Sequence, residues 1–177
     1  MTAASRRRIR RSFLYASKTL LGGPICWYGL IALGVSDPVW AVITVMIVSD
    51  PDLSTAVGLA QARIINTSVG CLIGFASLAM FGYSPLLPLV AAAVTVAIVI
   101  LIDHYPTNWR LAPVTVYILV DAGRTAATYA EELELALKRA GEIAFGCCVA
   151  LLLAFAYTRL IGAWSASHPR SSIIDGD

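Results

Sequence analysis

The longest uncharged stretch of the chain decides its fold class, and residues 64–102 read IINTSVGCLIGFASLAMFGYSPLLPLVAAAVTVAIVILI. These 39 residues lie between Arg63 and Asp103 and contain no Asp, Glu, Lys or Arg. A membrane-spanning helix needs about 20 apolar residues, so the stretch is too long for one span. The Gly-Tyr-Ser-Pro sequence at 82–85 is a turn signal that divides it into two helical segments.

The composition of the whole chain indicates that lipid is its main solvent. Hydrophobic residues make up 58% of the 177 residues and charged residues only 14%, whereas soluble domains carry roughly 25% charged residues. A chain with so few charges cannot cover itself with a hydrated surface. We therefore expect an all-α membrane protein embedded in the lipid bilayer, and not a soluble enzyme.

Charged residues and turn signals divide the chain into six hydrophobic segments. Segments two and five are too short to cross a hydrocarbon core of roughly 30 Å at 1.5 Å per residue, whereas the other four can span it. Asp50 followed by Pro51 predicts an N-cap for segment three, and Thr128 with Glu131 predicts a capping box for segment six. The predicted segments are 12–34, 38–49, 53–81, 86–102, 109–121 and 128–161.

The two ends of the chain predict its orientation. Five arginines in residues 1–11 form a basic amino terminus, which the positive-inside rule assigns to the cytoplasmic side of a bacterial inner membrane. Such a cluster can also bind nucleic acid, but the apolar segment directly after it favours the membrane, and no nucleic acid partner is expected. The membrane domain covers 12–162, and 163–177 is predicted to be a disordered cytoplasmic tail.

The two halves of the membrane domain resemble each other. The sequence TVMIVSD at 44–50 aligns with TVYILVD at 115–121. Each half, 12–82 and 85–162, contains three segments, so the second enters the membrane in the opposite direction. Inverted repeats of this kind are common in secondary transporters. We predict two inverted three-helix repeats, and the alternative is a chance similarity between apolar segments that use few residue types.

The glycines of the long segments strengthen the repeat. Arg63 precedes Gly70 by seven residues, and Arg139 precedes Gly146 by the same number. Gly70 is followed by Gly74, and Gly146 by Ala150, at the small-xxx-small spacing that lets helices approach closely. We therefore expect helix packing at Gly70, Gly74, Gly146 and Ala150.

Polar residues on and beside the short segments are the candidate transport residues, because short segments in matching places of two halves indicate a binding site. An arginine at membrane depth costs roughly 3 kcal/mol or more unless it is paired or hydrated, and a guanidinium group can bind a carboxylate through two hydrogen bonds. The candidate substrate-binding residues are Arg63, Asn66, Arg139, Trp40 and Trp109. The candidate proton-coupling residues are Asp50, Asp52, Asp121 and Glu142.

Structural roles for the same residues stay open. Arg139 has Glu142 at an ion-pair spacing, and Arg63 can pair with Asp50 or Asp121. The tryptophans can instead anchor the chain at the membrane interface. The four cysteines lack the spacing of metal ligands, so neither a metal nor another cofactor is expected, and we predict no catalytic residues.

One set of residues between positions 40 and 74 has a recognisable spacing: Trp40-Ala-Val-Ile-Thr44, Asp50-Pro51, Arg63, Thr67, Gly70 and Gly74. Through these residues the region resembles the fusaric acid resistance and aromatic acid exporter (FUSC) family of membrane proteins. Asn66 stands where that family usually has glycine. The resemblance implies proton-driven efflux of aromatic or other organic acids. Since larger members join two such units, it also implies a homo-oligomer or partner efflux subunits.

A second function stays open beside efflux. The alternative is a non-transporting membrane subunit or scaffold that assembles through its small-residue helix faces. A polar cavity lined by both short segments favours transport, whereas a dry, packed centre favours a scaffold.

Overall fold

The computed structural model of the chain describes residues 3–50, 52–102, 104, 108–125 and 128–167. All regular structure within these ranges is helical, so the predicted all-α class and the order of six segments are confirmed. A short 3₁₀ turn at Gly123–Thr125 follows the fifth helix. The six helices are α1 (Ala3–Ala32), α2 (Val39–Val48), α3 (Leu53–Phe81), α4 (Leu87–Leu101), α5 (Leu111–Ala122) and α6 (Tyr129–Ser167).

Two helices in the described part of the chain are long and apolar enough to cross a membrane, namely Leu53–Phe81 and the Ala130–Leu160 part of α6. Helices α2 and α5 have 10 and 12 residues and are short, as predicted. Helix α4 has only 15 residues, or about 22 Å, so the prediction that segment four spans is wrong. Helix α1 has 30 residues and carries the arginine cluster and Lys18. It is not one of the two described helices that are long and apolar enough to cross a membrane.

Both terminal helices are longer than the hydrophobic segments predicted for them. Helix α1 begins at Ala3, so most of the basic amino terminus is helical. Helix α6 continues to Ser167, five residues into the segment predicted as a disordered tail. Residues 168–177 lie outside the described residues.

The caps of the long helices agree with the sequence in one case and differ in the other. Thr128 Oγ1 accepts a hydrogen bond from the Glu131 N–H at 3.3 Å, as a capping box requires. The cap of α3 is Asp52, whose Oδ2 accepts from the Thr55 N–H at 2.9 Å. The prediction of Asp50 was wrong because it took Pro51 as the first residue of a helix that begins at Leu53.

Helices α3 and α6 cross at the centre of the molecule. The Cys147 thiol lies 4.0 Å from the carbonyl oxygen of Ala60, and the Cys71 thiol lies 3.9 Å from that of Ala136. These two contacts occur in opposite order along the two helices, so α3 and α6 are antiparallel. The crossing point falls near the middle of the stretch between Ala60 and Cys71.

Each short helix packs against the long helix of the other half. A Cβ atom on Gly146 of α6 would lie 2.6 Å from the carbonyl oxygen of Ala41 in α2. A Cβ atom on Gly70 of α3 would lie 2.8 Å from the carbonyl oxygen of Ala112 in α5. Real Cβ atoms do not approach backbone oxygens so closely, so only glycine fits at both contacts. Gly74 packs on Leu119 of α5, and Ala150 is fully buried.

The contacts of the two halves correspond residue by residue. Gly70 also faces Thr115, and Gly146 also faces Thr44. Thr44 and Thr115 are 71 positions apart, and so are Ala41 and Ala112. The long helices keep a second constant spacing of 76 positions, which relates Gly70 to Gly146, Ala60 to Ala136 and Cys71 to Cys147.

Candidate functional site

Three candidate residues meet where α6 passes the amino end of α2. Arg139 Nη1 lies 3.8 Å from Glu142 Oε2, and the Arg139 guanidinium lies 5.0 Å from the centre of the Trp40 ring. Glu142 Oε2 also accepts a hydrogen bond from the Trp40 N–H at 3.3 Å. The Glu142 side chain is 7% exposed and that of Arg139 is 29% exposed. We call Trp40, Arg139 and Glu142 the α2–α6 site.

The start of α2 explains why a carboxylate lies there. The first N–H groups of a helix have no acceptor within the helix and carry the positive end of its dipole. Pro38 occupies the N-cap position of α2 and makes no side-chain hydrogen bond. Glu142 supplies the missing acceptor from a different helix. The amino end of α2 and Arg139 therefore form a place that favours an anion.

A cavity of about 400 Å³ adjoins the α2–α6 site. It lies between the α1–α2 connection and the first turns of α6, and its charged lining residues are Asp37, Lys138, Arg139 and Glu142. Lys138 also pairs with Glu134 at 2.6 Å on the exposed side of α6. Cavities of this size hold small organic ligands.

Arg63 and Asn66 lie on α3 at the positions equivalent to Arg139 and Glu142, again 76 positions away. Arg63 is 2% exposed and Asn66 is fully buried. Asn66 Nδ2 donates to the Ala62 carbonyl oxygen at 2.7 Å. Within the described residues Arg63 forms no ion pair, and its Nε has no acceptor.

A much smaller cavity lies between the two short helices. Trp40 of α2 and Thr115 and Leu119 of α5 line it, together with Arg139 and Cys71. Its volume of about 10 Å³ is room for one water molecule at most. The two short helices thus share a cavity, as a transporter would require, but a narrow one.

Asp50 lies at the opposite end of α2 from the α2–α6 site. Its Oδ2 accepts a hydrogen bond from the Tyr15 hydroxyl, and its carbonyl oxygen accepts one from Lys18 Nζ. Lys18 is fully buried, and its ammonium lies 5.4 Å from the Tyr157 ring. Asp50 therefore holds α1 against the end of α2. The signal for Lys18 was present in the sequence as a single charge inside the first hydrophobic segment.

Asp52 is an exposed cap. Its carboxylate accepts hydrogen bonds from the Ser54 hydroxyl and from both the backbone N–H and the hydroxyl of Thr55. These bonds, that of Ser54 first, hold the pKa of Asp52 below its usual range because they stabilise the ionised form.

The remaining candidates lie apart from both arginine sites. Asp121 is half-buried near the end of α5, and Trp109 precedes α5 with its ring 4.7 Å from the Arg110 guanidinium. Within the described ranges neither residue forms an ion pair or ring contact with Arg63 or Arg139. Leu111, 71 positions from Trp40, occupies the equivalent place in α5, so Trp109 is not the counterpart of Trp40.

Comparison with known proteins identifies the family. No curated protein and no solved structure matches the chain significantly. The sequence profile described as fusaric acid resistance protein-like matches residues 24–153, which is more than half of the chain and includes both arginine sites. This chain therefore belongs to the fusaric acid resistance protein-like family, whose members are associated with membrane transport and efflux.

Proposed function

We propose that this chain is an inner-membrane transporter module that exports small organic anions, aromatic carboxylates among them. The observation that carries the proposal is Arg63, a guanidinium that is only 2% exposed and forms no ion pair within the described residues. A buried charge is costly unless an opposite charge and hydrogen bonds compensate it. A bound substrate carboxylate would supply both.

The α2–α6 site supports an aromatic carboxylate as substrate. Arg139 offers a guanidinium that is still partly accessible, and Trp40 offers an aromatic ring beside it. A planar acid in the cavity of about 400 Å³ can place its carboxylate on Arg139, which lines that cavity. The Trp40 ring lies 5.0 Å from the same guanidinium and lines the adjoining small cavity. Of the four predicted proton-coupling residues, Glu142 is the one that lies at the larger cavity.

An inverted repeat with both termini in the cytoplasm is part of the proposal. Two observations support the inverted repeat. Helices α3 and α6 are antiparallel, and each short helix contacts the opposite long helix through corresponding residues. A repeat of three helices has to invert between its copies, so α3 and α6 must run in opposite directions.

Efflux by a variant of Arg63 tests the transport function. Cells that express the chain and are loaded with radiolabelled benzoate should export it, and Arg63→Gln should reduce the initial rate at least about tenfold, since a neutral side chain cannot bind the carboxylate as an ion pair. Arg159→Gln is the matched control, because Arg159 is an exposed arginine near the other end of α6. Equal membrane levels of the three proteins are checked by immunoblot. Unchanged efflux in Arg63→Gln would remove Arg63 from the mechanism.

The narrow cavity between the short helices favours the second candidate, a non-transporting subunit or scaffold. Flux through purified protein separates the two functions. Proteoliposomes that contain this chain alone should accumulate labelled benzoate in a counterflow assay if it transports as a homo-oligomer. Counterflow that appears only after a partner efflux subunit is added would identify a subunit, and none in either case would favour the scaffold.

A further inference from the structure

The α2–α6 site already holds a carboxylate, that of Glu142. We propose that Glu142 is a built-in competitor for this site, so that a ligand carboxylate binds Arg139 and the amino end of α2 together with a proton taken up by Glu142. The inference rests on the proposed function, because it describes how the exported anion binds. It differs from the proton-driven efflux that the family resemblance implies, since efflux driven by protons requires a proton to replace the anion, whereas here the two bind together.

The donors around Glu142 are those that a ligand carboxylate needs. Glu142 Oε2 takes one backbone N–H, from Trp40, and one guanidinium, from Arg139. The two distances of 3.3 and 3.8 Å are longer than the 2.7–2.9 Å of a tight charge-assisted hydrogen bond. Glu142 therefore occupies the anion position without the short contacts that would make it hard to displace.

The charges that face the site decide when an anion can enter. Arg139 on α6 and the positive end of α2 face Glu142, and Asp37 faces it from the α1–α2 connection. Lys138 lines the cavity but is paired with Glu134, and Cys71 is the residue of α3 that lines the small cavity beside Arg139. A ligand carboxylate would meet two negative side chains and one available cation. Protonation of Glu142 removes one of the negative charges and frees the guanidinium.

The other half of the molecule lacks the competitor. Asn66 stands at the position equivalent to Glu142, three residues after Arg63, and a neutral amide cannot neutralise the arginine. The two equivalent arginines thus differ in one respect: only Arg139 is opposed by a group that a proton can switch off. Anion binding at the α2–α6 site should therefore depend on pH through Glu142.

Linkage gives the sign of the effect. If a proton on Glu142 strengthens anion binding, the anion must strengthen proton binding by the same factor. Lower pH should then tighten binding, and anion binding should be accompanied by proton uptake. A site that exchanges protons for anions would behave in the opposite way.

Calorimetry on the purified full chain in detergent tests the inference with benzoate as the probe, because a simple carboxylate stays ionised between about pH 6 and pH 8. Wild-type protein should bind benzoate about tenfold more tightly at pH 6 than at pH 8, a coupling of ordinary size. Titrations in two buffers of different ionisation enthalpy should show proton uptake. Glu142→Gln should bind equally at both pH values, about as tightly as wild type at pH 6, without proton uptake.

Two further variants keep the test sharp. Glu142→Asp retains a titratable carboxylate and should keep the pH dependence. Glu131→Gln makes the same chemical change at an exposed position of the same helix that does not line the cavity and should behave as wild type. Wild-type affinity that is constant or falls at pH 6, or proton uptake that persists in Glu142→Gln, would overturn the inference while leaving anion transport intact. Folded protein that binds no benzoate in wild type or Glu142→Gln would contradict both proposals.

Discussion

The two halves of this protein have an arginine at equivalent positions of α3 and α6, but the residues around the two arginines differ. Arg63 is buried beside the neutral Asn66, whereas Arg139 is partly accessible, lies over Trp40 and contacts Glu142. Equivalent backbone contacts therefore do not imply equivalent electrostatics. One side chain three residues after each arginine decides whether the cation is opposed by a carboxylate.

A second difference lies in how the outer helices are attached. Helix α1 is held at the carboxyl end of α2 by two hydrogen bonds to Asp50, one from Lys18 Nζ to its carbonyl oxygen and one from the Tyr15 hydroxyl to its carboxylate. Helix α4 packs on α5 with apolar residues such as Ala91 and Val116, and its sequence contains no charged residue. The attachment of α1 in the first half therefore includes polar contacts, whereas α4 in the second half is attached by apolar packing. Substitutions at the helix contacts and caps can test how far the halves are equivalent.

The largest effect is expected where the backbones touch. Gly146→Ala places a methyl group 2.6 Å from the Ala41 carbonyl oxygen, and overpacking of this kind costs about 1–3 kcal/mol or more. We expect loss of most folded protein in fluorescence-detected size-exclusion chromatography. Gly141→Ala is the matched control, since its Cβ would meet nothing within 4 Å. Gly70→Ala should fail in the same way if the halves are equivalent, and a stable Gly70→Ala protein would show that they are not.

The next effect is expected at the polar contact of α1. Lys18→Leu removes the charge from the apolar part of α1 but leaves the Asp50 carbonyl oxygen without its donor, so we expect a loss of about 2 kcal/mol. The melting temperature in detergent measures it. Lys138→Leu serves as control because its ion pair is exposed, and exposed ion pairs contribute little to stability. A melting temperature for Lys18→Leu equal to that of wild type would mean that α1 is held by packing, as α4 is.

The caps of the two long helices provide a smaller contrast. Thr128→Ala removes one hydrogen bond of 3.3 Å from the start of α6 and should cost about 1 kcal/mol or less. Asp52→Ala removes three hydrogen bonds from the start of α3 and should lower the melting temperature further. The reverse order would show that α6 depends more on its cap than α3 does.

The pH dependence of the Asp52 cap is the smallest expected effect. The pKa of Asp52 is held below its usual range by Ser54 and Thr55, so its stabilising contribution is complete above the pKa of an unfolded aspartate, about 3.9. That contribution is lost as pH falls through the lower pKa of the folded state. Asp52→Asn should keep a cap and show a shallower loss of stability in acid than wild type. Identical acid melting profiles would contradict this assignment.

Much of the fold was predictable because its signals are local. The interval between charges marked the hydrophobic segments, and the helix bounds of α2, α3 and α5 differ from the predicted ones by no more than two residues. The bounds of α4 agree as closely, so the error there was to count a segment of this length as a span, although at 1.5 Å per residue it is shorter than a hydrocarbon core of roughly 30 Å. The misplaced cap of α3 reflects a helix that begins at Leu53 and is capped by Asp52, two residues later than predicted.

The candidate site was predictable in its residues but not in its partners. Repeat spacing identified both arginines, and the i, i+3 spacing identified the contact of Arg139 with Glu142. The partners proposed for Arg63, namely Asp50 or Asp121, were wrong as ion pairs within the described residues. Trp109 was predicted to bind substrate together with Trp40, although the contacts relate Trp40 to Leu111.

The sequence by itself determined the apolar helices, their order, the glycines at which they touch and the two arginines, because hydropathy, spacing and side-chain size act along the chain. Only the tertiary structure decided which groups face each arginine, because α3 and α6 cross and the amino end of α2 packs against α6, which is distant in sequence. Trp40 and Glu142 are far apart in sequence and meet only because a helix without its own cap needs an acceptor. The two arginines differ because Glu142 makes this contact beside Arg139, whereas the neutral amide of Asn66 stands at the equivalent position beside Arg63.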